Sequence, residues 1–184
     1  MTVRRELPAL PERYEPTRFL GEGATGDVYQ ARDKAMEEDV AIKVVRANLA
    51  MHAKFRARFA REVALSAQFV HPRVIPTYDE GRLADGRPYV CLALADAGSL
   101  VQVIERADVR EGLRLVDQVL EALAAIHGRG LLHQDLKPQN VLLHTEATGA
   151  VAAWVADLGV AGALSEFALD RKGMSGTPVW MAPE

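Results

Sequence analysis

The stretch Leu131-Leu-His-Gln-Asp-Leu-Lys-Pro-Gln-Asn-Val-Leu-Leu143 constrains the fold more than any other part of the chain. Apolar runs, Leu131-Leu132 and Val141-Leu142-Leu143, flank a short loop carrying His133, Asp135, Lys137 and Asn140. Short apolar runs of this kind read as strands or strand-like anchors. They hold both ends of a loop that gathers a carboxylate, a base-capable imidazole, an ammonium and an amide. Such an arrangement fixes polar groups on a rigid base beside a cleft. Asp, Pro and Asn are also turn formers, so an ordinary surface turn is the alternative. The length of the pattern H-x-D-L-x-x-x-N favours a site.

A chain of 184 residues can bury a core as one domain or as part of a larger one. With 49% hydrophobic and 26% charged residues and no low-complexity tract, it reads as a globular protein. A net charge of -3 offers no basic face, so no nucleic-acid partner is expected. A single cysteine, Cys91, excludes an internal disulfide and fits a reducing compartment. The basic residues of Met1-Thr-Val-Arg-Arg-Glu-Leu-Pro8 have no apolar run behind them, so no signal peptide is expected there. The most apolar window, residues 151–164, is too short to span a bilayer and contains Asp157. A cytoplasmic location is expected.

Residues 1–13, with Pro8 and Pro11, read as an extended lead-in. Gly21-Glu-Gly23-Ala-Thr-Gly26 then lies between Phe19-Leu20 and Val28-Tyr29-Gln30-Ala31. In a dinucleotide-binding unit this glycine spacing opens a helix. Here a β-branched and aromatic run follows, which predicts a hairpin tip between two strands. Glycines at such a tip let backbone N–H groups approach a polyphosphate, with a plain flexible hairpin as the alternative. In the strand Val40-Ala-Ile-Lys43-Val-Val45, Lys43 shares a face with Ala41 and Val45, while Val40, Ile42 and Val44 share the other. An ammonium on an apolar face needs a partner. The helix predicted over residues 54–69 places Phe55, Phe59, Val63, Ser66 and Phe69 on one stripe, with Glu62 inside it. Lys43 and Glu62 therefore read as partners, unless each snorkels separately to water.

His71-Pro72 breaks the chain. Strand-like Val74-Ile-Pro-Thr-Tyr78 and Pro88-Tyr-Val-Cys-Leu-Ala-Leu94 follow, separated by a turn from Gly81 to Gly86. Asp96-Ala-Gly-Ser-Leu100 reads as a boundary, with Ser99 capping a short helix to Arg106. A long helix over residues 111–127 carries apolar positions 113, 116, 120 and 123 as well as 115, 119 and 126, which predicts burial on more than one side. Gly128 and Gly130 end it, and Cys91 reads as a core residue. The strand Val151-Ala-Ala-Trp-Val-Ala156 runs into Asp157-Leu158-Gly159. A carboxylate there, with the Asn140 amide oxygen, makes a hard ligand pair suited to Mg2+ on a nucleotide. Taken alone, Asp-Leu-Gly is a common turn.

The ordered set of glycine hairpin, Val40-Ala-Ile-Lys43, Glu62, His133-Gln-Asp135 through Asn140, Asp157-Leu-Gly159 and Ala182-Pro-Glu184 resembles the eukaryotic-type protein kinases, and within them a bacterial Ser/Thr kinase. The resemblance covers residues 14 to 184, and Lys137 two positions after Asp135 is similar to the Ser/Thr branch. It implies an α+β, bilobal protein-kinase-like fold: a small antiparallel β-sheet lobe with one helix over residues 14–95, and an incomplete, mainly helical lobe over 96–184. It also implies roles. Gly21, Gly23 and Gly26 cover the ATP phosphates, with Val28 and Ala41 beside the nucleotide. Lys43, oriented by Glu62, holds the α- and β-phosphates. Leu92 is the gatekeeper, and Ala93, Leu94 and Ala95 present backbone to adenine. Asp135 accepts the proton of a substrate Ser or Thr, Lys137 steadies the γ-phosphate, and Asn140 and Asp157 bind Mg2+. Positioning and charge neutralisation do most of the work in such a transfer.

The chain departs from the family pattern at three places. Gln134 stands where the family has an arginine that receives an activation-loop phosphate, which puts that mode of activation in doubt even with Ser165 and Ser175 available. Leu158 replaces a phenylalanine. The resemblance further implies helices past Glu184, so the chain is expected to be a fragment with helix 111–127 partly uncovered and prone to self-association. Related bacterial kinases often carry a membrane span after the catalytic region, so the parent is open to membrane anchoring. The rival readings are an ATP-binding pseudokinase or scaffold without turnover, and a small-molecule kinase.

Overall fold

This computed structural model describes residues 7–23, 25–103, 106, 108–158 and 162–163, with Glu62 described by its backbone alone. Two compact units emerge, one holding the chain through Ala67 together with Pro76–Leu94, the other Gln68–Ile75 and the chain from Ala95 on.

The first unit is a five-stranded antiparallel sheet in the order β1-β2-β3-β5-β4, built from β1 (Tyr14–Glu22), β2 (Gly26–Asp33), β3 (Glu38–Val45), β4 (Thr77–Arg82) and β5 (Pro88–Ala93). Strand β3 is central because both of its faces are apolar. Val40, Ile42 and Val44 pack with Tyr14, Tyr29, Tyr89 and Cys91 on one side. Val45 packs with Val90, Phe59 and Val63 on the other, where helix α2 (Ala53–Gln68) lies. Register pairs Lys43 with Val28 and Val90, and Ala41 with Leu92. Since directly opposed side chains share a face, Lys43 lies on the side that α2 covers. A one-turn helix, α1 (Ala47–Ala50), connects β3 to α2.

Two expectations change in this unit. The predicted stripe of α2 splits, because the helix stops at Gln68 and Phe69 joins the core of the second unit. The guanidinium of Arg129 lies 4.3 Å from the Phe69 ring centre, and its Nη1 donates to the Gln68 carbonyl at 3.2 Å. Val74 and Ile75, read as the start of a strand, follow the same path: Ile75 N donates to Val155 O at 3.0 Å and Val155 N to Arg73 O at 2.8 Å. Strand β4 accordingly begins at Thr77. The second change is at the start. Leu10 packs on the core, and Arg13 grips the fully buried Asp33 with Nε and Nη2 at 2.7–3.0 Å. That guanidinium holds the Asp33 carboxyl below its ordinary range. Arg13 also reaches Asp79 at 3.1 Å, as does the Tyr14 hydroxyl at 2.8 Å, so Leu10 and Arg13 pack against the sheet.

The second unit is organised by helix α4 (Val109–Gly128) against the hairpin of β7 (Val141–Thr145) and β8 (Val151–Val155). Asp108 caps α4 by accepting from Glu111 N at 2.8 Å. Gly128 is still helical, and Gly130 takes the left-handed conformation (φ +71) that ends the turn. Leu115, Val119, Ala122 and Ile126 pack with Val141, Leu143, Ala153, Val155 and Leu158. Among them lies Gln118, buried, whose Oε1 accepts from Ala153 N at 2.8 Å. The predicted burial on more than one side is not found among the described residues. Val109, Leu113, Val116 and Leu120 form an exposed stripe. Short elements complete the unit: α3 (Leu100–Val103), β6 (Leu131–Leu132) paired with β9 (Gly162–Ala163), and one 3-10 turn at Pro138–Asn140.

Candidate active site

Each unit gathers one set of the expected residues. In the first, Gly21 is the next-to-last residue of β1 and Gly26 the first of β2, with Gly23 in the turn between them, and Gly23 N donates to Gly26 O at 2.7 Å. A Cβ on Gly26 would collide with the Val44 carbonyl, whereas one on Gly21 meets nothing within 4 Å. The third glycine is therefore required by the β2–β3 contact, whereas no such contact requires the first. Val28, Ala41, Lys43 and Leu92 share the sheet face covered by α2. Glu62 lies on α2 next to Val63, which packs on that face; its side chain is outside the described residues. Ala93 N donates to Pro76 O at 3.0 Å, so the backbone donor of Ala93 is engaged. Ala95 falls in the second unit.

In the second unit Asp135, Lys137 and Asn140 meet at the open end of the β7–β8 hairpin, with Asp157 two residues past the end of β8. Lys137 Nζ lies 2.7 Å from Asp135 Oδ2. Asn140, buried, donates its amide NH2 to the Asp135 carbonyl at 2.8 Å and to Oδ2 at 3.2 Å. One residue beyond the register pair Val141–Val155, Asn140 O accepts from Ala156 N at 2.8 Å, which brings Asn140 to the residue before Asp157. Two non-glycine residues here adopt left-handed backbone, Gln134 at φ +62 and Asp157 at φ +57. Such conformations are strained, more so for Gln than for Asp, and they cluster where side chains are aimed for function.

The base-capable imidazole turns out to have a different task. His133 is buried; its Nδ1 accepts from Asp135 N at 3.3 Å, which leaves Nε2 to donate to Ala156 O at 2.9 Å. Burial lowers its pKa. It is a neutral strut between the loop of Asp135 and the strand end before Asp157, a role invisible in the sequence because it depends on Ala156. Gly159, Ser165, Ser175 and Ala182-Pro-Glu184 lie outside the described residues.

The protein kinase domain family matches residues 14–184, from the first strand of the sheet to the end of the chain. The chain belongs to the protein kinase family. It is similar to the serine/threonine-protein kinase pkn3 of Myxococcus xanthus, with 33% identity over 180 residues that make up 94% of this chain and 33% of that protein. It is similar to PknB of Mycobacterium leprae (32% over 185 residues, 96% of this chain, 29% of that protein) and to PknD of Mycobacterium tuberculosis (33% over 175 residues, 93% and 26%). All three are named serine/threonine-protein kinases. This kinase chain spans a third or less of the length of these curated relatives.

Kinases of this family use ATP and Mg2+ in general, and the residues present fit such a metal. Among the described residues no group of three or more His, Cys, Asp or Glu side chains forms a metal cage. A carboxylate and an amide oxygen suit Mg2+, which keeps most of its shell for water and phosphate oxygens. Leu158, in place of phenylalanine, is buried in the core of the second unit, so the swap is one of packing.

Proposed function

We propose that this chain is the catalytic region of a serine/threonine protein kinase, passing the γ-phosphoryl group of ATP to a serine or threonine hydroxyl of a protein. The observation that carries the reading is the Asp135 carboxylate held between Lys137 Nζ and the Asn140 amide, beside the Ala156–Asp157 strand end. In the transfer the substrate oxygen bonds to the γ-phosphorus, its proton passes to Asp135, and the bond to the ADP oxygen breaks. Lys137 is near enough to Asp135 to neutralise charge on the moving phosphoryl group. Mg2+, when bound, would supply positive charge to offset that of the phosphates. Asn140 and Asp157 would hold it.

In the first unit the glycine hairpin offers backbone N–H groups to the phosphates. Lys43 serves the α- and β-phosphates, with Glu62 on α2 orienting it. Val28, Ala41 and Leu92 form the apolar wall for adenine, and Ala93 contributes backbone. The same reading puts the catalytic region in the cytoplasm, where ATP is held. Among the described residues no helix is long and apolar enough to cross a membrane.

The test is phosphate transfer from Mg-ATP to a generic protein acceptor, measured on the whole protein that carries these residues and on its Asp135→Asn variant. A positioned base contributes about 10²–10⁴-fold, and a loss of that size is expected. Equal incorporation by the two proteins removes Asp135 from the mechanism. Mg2+-dependent ATP binding with no turnover by either protein favours the pseudokinase reading instead.

A further inference from the structure

Glu22 and Asp27 are direct cross-strand partners at the base of the glycine hairpin. Opposed side chains of an antiparallel pair share a face, and like charges there repel. On the reading above, this hairpin must also receive a triphosphate, which two carboxylates oppose. One side chain meets both: Arg46 Nη2 lies 3.3 Å from Glu22 Oε2 and 3.7 Å from Asp27 Oδ1. The backbone N of Arg46 donates to the Thr25 carbonyl at 3.1 Å, inside the hairpin. Arg46 directly follows β3 and is the extended residue from which α1 starts, so two elements fix the origin of its side chain.

We propose that Arg46 is a positioning residue for the nucleotide: it offsets the paired charges of Glu22 and Asp27, holds the two strands of the hairpin together, and leaves the hairpin able to accept phosphates. The inference rests on the nucleotide reading of the glycine hairpin. All three side chains are partly exposed, and exposed ion pairs add little to folding stability. The effect is therefore one on phosphate affinity.

The experiment is titration calorimetry of the whole protein with Mg-ATP and, separately, with adenosine, which carries no phosphate. Wild-type protein must bind Mg-ATP and Lys43→Met must weaken it; if wild type does not bind, the nucleotide reading itself fails. Given that binding, Arg46→Ala is expected to weaken Mg-ATP roughly fivefold at low ionic strength, with adenosine affinity and melting temperature unchanged. Adding Glu22→Gln and Asp27→Asn to Arg46→Ala is expected to restore Mg-ATP affinity, because the charges that Arg46 offsets are gone. Equal Mg-ATP affinity of wild type and Arg46→Ala overturns the proposal. So does an equal loss for adenosine and Mg-ATP, which marks general loosening of the fold.

Discussion

His133 Nε2 donates to the carbonyl of Ala156 at 2.9 Å, one residue before Asp157. The other ring nitrogen accepts from the backbone of Asp135. A single imidazole therefore joins the two acidic positions of the site, through the backbone of Asp135 itself and of Ala156, the residue before Asp157. The Asn140 carbonyl, which accepts from Ala156 N at 2.8 Å, doubles the link. This linkage needs a neutral ring, since in this tautomer Nδ1 is an acceptor.

That requirement sets a pH dependence. Burial lowers the His133 pKa in the native protein from the ordinary 6.5. As pH falls below about 6.5, the unfolded chain takes up a proton that the native state refuses. Stability is thus lost on acidification through this window, by at most about 1.4 kcal/mol per pH unit, and the slope flattens once the native ring also protonates. Above the window this group contributes no slope. Urea unfolding followed between pH 5 and 7.5 is expected to show the loss in wild type and a reduced slope in His133→Asn. Matching slopes in the two proteins contradict the neutral strut.

Two of the three hairpin glycines, Gly26 and Gly21, separate by cause. A Cβ on Gly26 has to displace the Val44 carbonyl, so Gly26→Ala is expected to destabilise the sheet by about 1–3 kcal/mol. Gly21→Ala meets open space and is expected to leave the melting temperature within a degree or so while weakening Mg-ATP. Thermal melts together with nucleotide titrations of both variants check the separation. Melting curves that shift alike sink it.

Much of the central sheet and of the acidic site is legible in residue type alone. The alternation in Val40–Val45 locates a central strand with Lys43 on an apolar face, because period-2 burial is written directly in the order of side chains. The octet from His133 to Asn140 locates the acidic site in the same way. Partnership at long range is what the order of residues does not carry. Phe69 fits the period of α2, but Arg129, sixty residues away along the chain, draws it into another core. Arg13 reads as a lead-in charge until Asp33 is seen buried against it. Gln118 breaks the apolar pattern of α4, and its purpose depends on a β8 amide that sequence does not place beside it.

Gln118 leads to a further test. Its Oε1 satisfies the Ala153 N–H inside the core. Gln118→Leu keeps the bulk, removes the acceptor and leaves a buried donor unmade, at a cost of about 1–3 kcal/mol. Chemical denaturation of the variant should show a lowered midpoint with an unchanged slope. If Gln118→Leu is as stable as wild type, the amide is not dependent on Gln118.

The exposed face of α4 concerns association. Val109, Leu113, Val116 and Leu120 fall on one stripe at helical spacing, Leu113 being 66% and Leu120 56% exposed. Arg110 and Arg114 flank the first half of this stripe and Asp117 and Glu121 the second. Two copies laid antiparallel place Val109 against Leu120, Leu113 against Val116, and Arg110 near Asp117 of the other copy, while Arg114 donates to Val151 O at 2.7 Å and Glu121 pairs with Arg73 at 3.4 Å within each copy. A parallel pairing lacks that charge match. Residues 1–184 on their own are therefore expected to self-associate, with a mass in sedimentation equilibrium that rises with concentration. Leu113→Gln with Leu120→Gln removes the apolar centre without changing charge, and this double variant should sediment as a monomer over the same range. A wild-type chain that stays monomeric at high concentration, or a double variant that associates equally well, shows that the stripe does not drive association.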